Sequence, residues 1–279
     1  MGPMRQTIWI TIWLIAAAHG CGAQAAGAES GVDPAAEYSA VGADDSGEDG
    51  ADSTFELGRQ ALQAEDYATA YRLLRDAAEQ DDAQAQTALG DMYRDGLGME
   101  ADAGEALAWY RRAAEQGDAQ AQVRLGRMYA DGLGVAPDDE AAVGWFRLAA
   151  TSEDPTAQFN LGLMYLNGRG VKKNETEAAR WLQAAAHNGE PQAQVKLGVM
   201  LLEGRGVGQD PATAALWLLG PAEQGNALAQ YHLGVGYAEG RGVGQDDEQA
   251  LRWLTSAAGQ GLVQANAYLD AYLQAKGNR

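Results

Sequence analysis

Cysteine occurs once in the 279 residues, at Cys21, so no intramolecular disulfide can form. Histidine occurs three times, as His19, His187 and His232. That is too few for a zinc site of His/Cys type, and it leaves no serine or cysteine with a credible base for nucleophilic catalysis. Basic residues are outnumbered, 20 Lys and Arg against 39 Asp and Glu, for a formal charge of −19. Nucleic acid and anionic lipid surfaces would be repelled by such a chain. The N-terminal apolar run, Ile8 to Ala18, has 11 residues, where a bilayer-spanning helix needs about 20.

Repetition is what the chain has in abundance. Trp109, Trp145, Trp181, Trp217 and Trp253 stand 36 residues apart, and Leu-Gly pairs at 89–90, 125–126, 161–162, 197–198 and 233–234 keep the same step. A strict period of that size marks a stack of small supersecondary units. Asp82, Asp118, Asp154, Glu190 and Asn226 form a column able to accept hydrogen bonds from the free N–H groups that open a helix, and Pro155 and Pro191 follow directly. Helix A of each unit starts there. In the clearest copy Ala121, Leu125, Met128 and Tyr129 share one apolar face, and Gly126 leaves room for a neighbouring helix. Gly96, Gly132, Gly168, Gly204 and Gly240 are placed to end helix A in the left-handed conformation. A second cap column, Asp102, Asp138, Asn174, Asp210 and Asp246, starts helix B, and Glu105, Glu177 and Gln249 three residues on predict a capping box. Helix B carries the Trp, expected to be core because burial accounts for its recurrence. It should end at Gly117, Gly189, Gly225 and Gly261, with Glu153 in that place in the second unit. Pro221 replaces an alanine column (Ala113, Ala149, Ala185, Ala257) and follows Gly220, predicting a bend or early stop of the fourth helix B near 219–221.

These columns, Ala-Gln-x-x-Leu-Gly-x-x-Tyr-x-x-Gly-x-Gly-Val followed by Asp, Ala-x-x-Trp and Ala-Ala-x-x-Gly, resemble the Sel1-like repeats, a relative of the tetratricopeptide repeat. The resemblance covers five units, 82–261. It implies an all-α fold, an αα-hairpin solenoid wound as a right-handed superhelix, and a role in binding rather than catalysis. Residues 54–81 fit tetratricopeptide spacing better (Leu57, Gly58, Tyr67, Ala70, Leu74, Ala77) and are read as an N-terminal cap hairpin. Residues 262–279 hold a C-terminal capping helix and tail, with Ala265, Leu269 and Tyr272 continuing the inner pattern.

Ahead of the repeats, residues 1–20 have the form of a signal peptide: Arg5, then the short apolar run. Small residues before Cys21 look like a lipoprotein processing site, although Ala18 stands where Leu is usual; Ala23-Gln24-Ala25 offers an ordinary cleavage site that would discard Cys21. An exported, periplasmic chain is expected either way, attached to the outer membrane if Cys21 carries lipid. Residues 21–53 are rich in Ala, Gly, Ser and acid and face no basic residue, which predicts a disordered linker. Their Asp44–Asp52 run lacks the closing Glu of a calcium loop.

The sequence offers no cofactor site and no metal site. Gly204-Arg205-Gly206-Val207-Gly208 looks like a phosphate loop but follows a helix and repeats as the C-cap column. His187 reads as a surface residue near a helix end. Family geometry instead points to helix A positions i, i+4 and i+7 as a partner-binding lining. These are Thr87, Asp91 and Arg94, then Val123, Arg127 and Ala130, then Phe159, Leu163 and Leu166, then Val195, Val199 and Leu202, then Tyr231, Val235 and Ala238. The gradient runs from polar and basic to apolar, suiting an amphipathic helix or extended peptide with an acidic end. The leading expectation is a non-catalytic scaffold or adaptor of the bacterial cell envelope. A regulatory or secretion-assembly component binding a membrane sensor stays open, as does a cell-wall-associated enzyme accessory or hydrolase.

Overall fold

The computed structural model describes residues 49–277. Among the described residues there are thirteen helices and no strand: α1 (Asp49–Gln63), α2 (Tyr67–Glu79), α3 (Ala83–Asp95), α4 (Ala103–Glu115), α5 (Ala119–Asp131), α6 (Asp139–Thr151), α7 (Pro155–Asn167), α8 (Glu175–His187), α9 (Pro191–Glu203), α10 (Pro211–Glu223), α11 (Ala227–Glu239), α12 (Asp247–Gly259) and α13 (Val263–Gly277). Each packs mainly on the helices before and after it, so the architecture is an αα-hairpin solenoid. Among the described residues no helix is long and apolar enough to cross a membrane. The expected signal peptide, Cys21 and most of the expected acidic linker lie outside the described residues. The linker's last part does not stay unstructured as expected: α1 begins at Asp49, five residues before the anticipated hairpin. Acidic residue types suit that position, because the first turn of a helix is its electropositive end.

Element ends follow the cap columns. Asp82, Asp118, Asp154 and Asn226 accept from the N–H three residues on, and Glu190 from Gln192 N–H. Each of helices α3, α5, α7, α9 and α11 stops at a glycine with φ between 66° and 71°. The helix B caps accept as expected, but the capping box is only half formed. The backbone N–H of Asp102, Asn174 and Asp246, which the box would pair with Glu105, Glu177 or Gln249, instead donates to the carbonyls of Tyr93, Tyr165 and Tyr237 on the preceding helix at 2.8–3.0 Å. The loop is folded so tightly onto helix A that the tertiary bond takes the donor first.

Packing within each unit turns on the Leu-Gly glycine. A Cβ on Gly126 would lie 2.5 Å from Phe146 Cε1, and one on Gly90 2.6 Å from Tyr110 Cε1. Gly162, Gly198 and Gly234 receive Leu182, Leu218 and Leu254 in the same way, and in the first hairpin Gly58 receives Leu74. These knobs, which in the five full units stand one residue after the Trp, are the fully buried column. The Trp expectation is therefore corrected: only Trp253 is buried, while Trp109, Trp145, Trp181 and Trp217 are half-buried. One residue turns a helix by about 100°, which carries the Trp off the centre of the hairpin and onto the seam with the preceding unit, where Trp109 meets the cluster around Leu74 and Leu89.

Pro221 also behaves differently from expectation. Helix α10 continues through Glu223. The proline lies in the last turn, where only the bond to Trp217 O is forfeited; its ring is buried in place of the alanine, and its carbonyl accepts from Asn226 N–H at 2.9 Å. At the far end α13 takes the helix A place of a further unit, with Ala265 buried. Asp270 stands where the receiving glycine of a full unit would be.

Candidate partner-binding face

The expected lining is built by the exposed stripe of α3, α5, α7, α9 and α11. Its three positions differ in environment. The i column points at the next unit: Thr87 is buried and its Oγ1 donates to Asp118 Oδ1 at 3.0 Å, and Val123 is buried in the cluster around Phe146. Leu166 is buried as well, against Ala178 and Leu182. Thr87, Val123 and Leu166 are thus unavailable as lining, because the stack closes over them. Val195 is 6% exposed and forms the floor of a cleft. Ala238 is buried and Ala130 half-buried.

At the polar end, Asp91 is spoken for by its own chain. Its Oδ1 accepts from Tyr110 OH at 2.6 Å, and Arg124 donates to both its oxygens at 2.6 and 2.8 Å. Arg94 reaches Asp91 at 3.0 Å and grips Asp95 at 2.7 and 2.6 Å. Burial and the Asp91 bond both hold the Tyr110 phenol well above its usual range. Arg127 is exposed and pairs with no acid among the described residues.

At the apolar end Phe159, Leu163, Val195 and Val199 line an open cleft of about 410 Å³ with Gln192, Lys196, Asn226, Leu228 and His232. It contains no carboxylate. A second cleft, about 220 Å³, adjoins it through His232 and is formed by Leu202, Glu203, Tyr231, Val235, Gly236 and Arg241. Tyr231 lies 5.1 Å from His232 and edge-on to Tyr268 at 6.2 Å. Burial lowers the His232 pKa, with Glu203 opposing. Sequence reasoning missed Gln192, Lys196, Leu228 and His232, which occupy i−3 and i+1. Both offsets border the i, i+4 stripe of a helix, so a wider stripe would have found them. His187, by contrast, is exposed as expected, its Nδ1 2.8 Å from Gln183 O and its ring edge-on to Trp217.

A solenoid of helical hairpins that presents an open stripe from alternate helices defines a repeat scaffold. The Sel1 repeat model matches residues 52–82, 83–118, 119–154, 155–190, 191–226 and 227–262, and the chain belongs to the Sel1 repeat family. Six repeats are matched rather than five: the first hairpin, taken from spacing as a tetratricopeptide-like cap, counts as a shortened repeat and shares the Gly58–Leu74 joint. Among solved structures the chain is 36% identical to a protective antigen of uropathogenic Escherichia coli with an SLR fold, at TM-score 0.76 over 82% of this chain and 50% of that one. It is 34% identical to a Sel1 repeat protein from Oxalobacter formigenes, at TM-score 0.70 over 77% of this chain and 86% of that one. The chain thus spans half the length of the Escherichia coli protein. No curated protein matches. Sel1 repeat proteins are generally protein-interaction scaffolds.

Proposed function

We propose that this chain is a non-catalytic scaffold that captures a segment of another protein across α7, α9 and α11. One observation carries the reading. In a chain of charge −19, the cleft of Phe159, Leu163 and Val199 is apolar, open and free of acid, with Lys196 at its side. Such a surface suits an amphipathic helix or extended segment that brings apolar anchors and an acidic flank. Leu202, Tyr231 and Val235 extend the surface, and Arg127 supplies a cation towards the N-terminal units. A photo-crosslinking residue placed at Val199 should give a discrete adduct in cells, and one at the exposed Leu216 of α10 should not. Equal yields from both would set the proposal aside.

The place of action we propose is the cell envelope. Support comes from Arg5, the Ile8–Ala18 run and the small residues before Cys21. Metabolic labelling with a palmitate analogue, in wild type and Cys21→Ser, distinguishes a lipid anchor from a released chain. Label in neither, with the chain retained in the cytoplasm, would contradict export.

A further inference from the structure

Successive units are joined by a backbone contact that recurs along the stack; two of these joints add an ion pair that the next one lacks, while the loop residue of the first two units is Leu97 or Leu133. After helix A, the loop of each unit leans on the first residue of helix B in the unit before. Arg169 grips Asp139 through two bonds of 2.6 and 3.1 Å, and Arg205 reaches Glu175 at 3.0 Å. The next member of the loop column is Arg241, and the residue beneath it is Pro211, which has no carboxylate. The backbone arrangement is nevertheless unchanged. Gly170, Gly206 and Gly242 approach the carbonyls of Asp139, Glu175 and Pro211 so closely that a methyl on any of them would overlap. Arg241 therefore occupies the position of Arg205 with its main partner removed. What remains is the weaker contact both share with the last glutamate of helix A, 3.4 Å to Glu239 as Arg205 has 3.4 Å to Glu203.

Arg241, held by this one long contact, lines the second cleft with Tyr231 and His232, and the two clefts meet at His232. We infer that Arg241 binds a carboxylate of the captured segment, which takes the role that Asp139 and Glu175 play in the earlier units. The inference rests on the groove reading above and adds to it the chemical feature the segment must carry. Guanidinium and carboxylate are matched donors and acceptors. The neighbouring Glu203 is engaged by Arg205, and among the described residues Arg241 keeps only its 3.4 Å contact with Glu239, where Arg169 and Arg205 each also hold a carboxylate of the preceding unit. The carboxylate is either an Asp or Glu side chain or a free chain end.

The test uses the full chain and two phage-displayed random peptide libraries, one ending in a free carboxylate and one displayed internally. Selected peptides are synthesised and measured against wild type, Arg241→Ala, Pro211→Glu, and the cleft variant Leu163→Glu with Val199→Glu. Pro211→Glu supplies the acid found at Glu175 and should occupy Arg241 from within, leaving the arginine side chain in place. Binding should weaken about tenfold or more in both Arg241→Ala and Pro211→Glu, the scale of one charge-assisted hydrogen-bonded pair. Amidating the peptide end or changing its acid to the amide then identifies which carboxylate is read. Peptides lost by the cleft variant but indifferent to Arg241→Ala and Pro211→Glu would overturn the inference and leave the groove reading intact. Peptides indifferent to all the variants, or no enrichment from either library, would overturn both.

Discussion

One substitution, made at two glycines, should have opposite effects. Gly126 lies inside α5 facing Phe146, and a Cβ there would sit 2.5, 2.7 and 2.9 Å from three carbons of a ring that is 2% exposed. Gly144 lies inside α6, and a Cβ there meets nothing within 4 Å. Replacing a helical glycine by alanine favours the helix by about 1 kcal/mol. At Gly144 nothing opposes this, so Gly144→Ala should stabilise by about 0.5–1 kcal/mol. At Gly126 the ring must move or the two helices must part, and overpacking of this kind costs about 1–3 kcal/mol. Three contacts this short against a buried ring place the cost near the upper end, for a net loss of about 2 kcal/mol after the propensity gain. For a domain of this size each kcal/mol moves the melting temperature by about 2–4 °C. Thermal unfolding followed by circular dichroism should therefore fall by about 4–8 °C in Gly126→Ala and rise slightly in Gly144→Ala. Gly126→Ala melting at or above wild type would refute the claim that this glycine is what lets helix B seat.

Further outcomes follow from single groups. Trp253 is buried with its Nε1 unpaired, so Trp253→Phe should cost less than about 1 kcal/mol while Trp253→Ala costs about 3–5, compared by urea denaturation. Tyr93 is pushed up to about 12 by its hydrogen bond with Tyr71 and by burial, and Tyr268 to about 12 by burial and Glu239. A raised phenol contributes stability that is whole below its unfolded pKa of about 10 and is lost as pH rises through the folded value. Denaturation midpoints should therefore drop between pH ~10 and ~12, in step with phenolate absorbance. His232 has the opposite sign: its folded pKa is lowered by burial, so its contribution is present above about 6.5 and is lost as pH falls. Midpoints measured from pH ~7 down to ~5.5 should decline less in His232→Gln than in wild type.

The frame of this protein was legible in its sequence because caps are local chemistry. Asp118 opening α5 and Gly132 closing it need only neighbouring backbone, and a period of 36 residues repeats the statement five times. What sequence misjudged was tertiary in each case. The Trp column looked like the core by size, yet the hole left by the Leu-Gly glycine selects the following residue, Tyr110 or Phe146, whose direction depends on how the two helices meet. Glu105 looked like half of a capping box, and Tyr93 O took the donor. On the candidate face, spacing located Phe159, Leu163 and Val199 at the open cleft, while Thr87 and Val123 were hidden by the next unit. No local pattern could reveal that burial, because the residue covering Thr87 is Asp118, 31 residues on and in the next unit.

The most direct measurement takes the protein segment crosslinked at Val199, made as a synthetic peptide, and titrates it against wild type and the Leu163→Glu, Val199→Glu double variant. Both side chains are half-exposed, so far-ultraviolet circular dichroism should be the same for the two proteins. A loss of at least about tenfold in affinity is expected, since two charges would be buried against apolar anchors. Unchanged affinity in a folded double variant would contradict the claim that this stripe of alternate helices holds the partner.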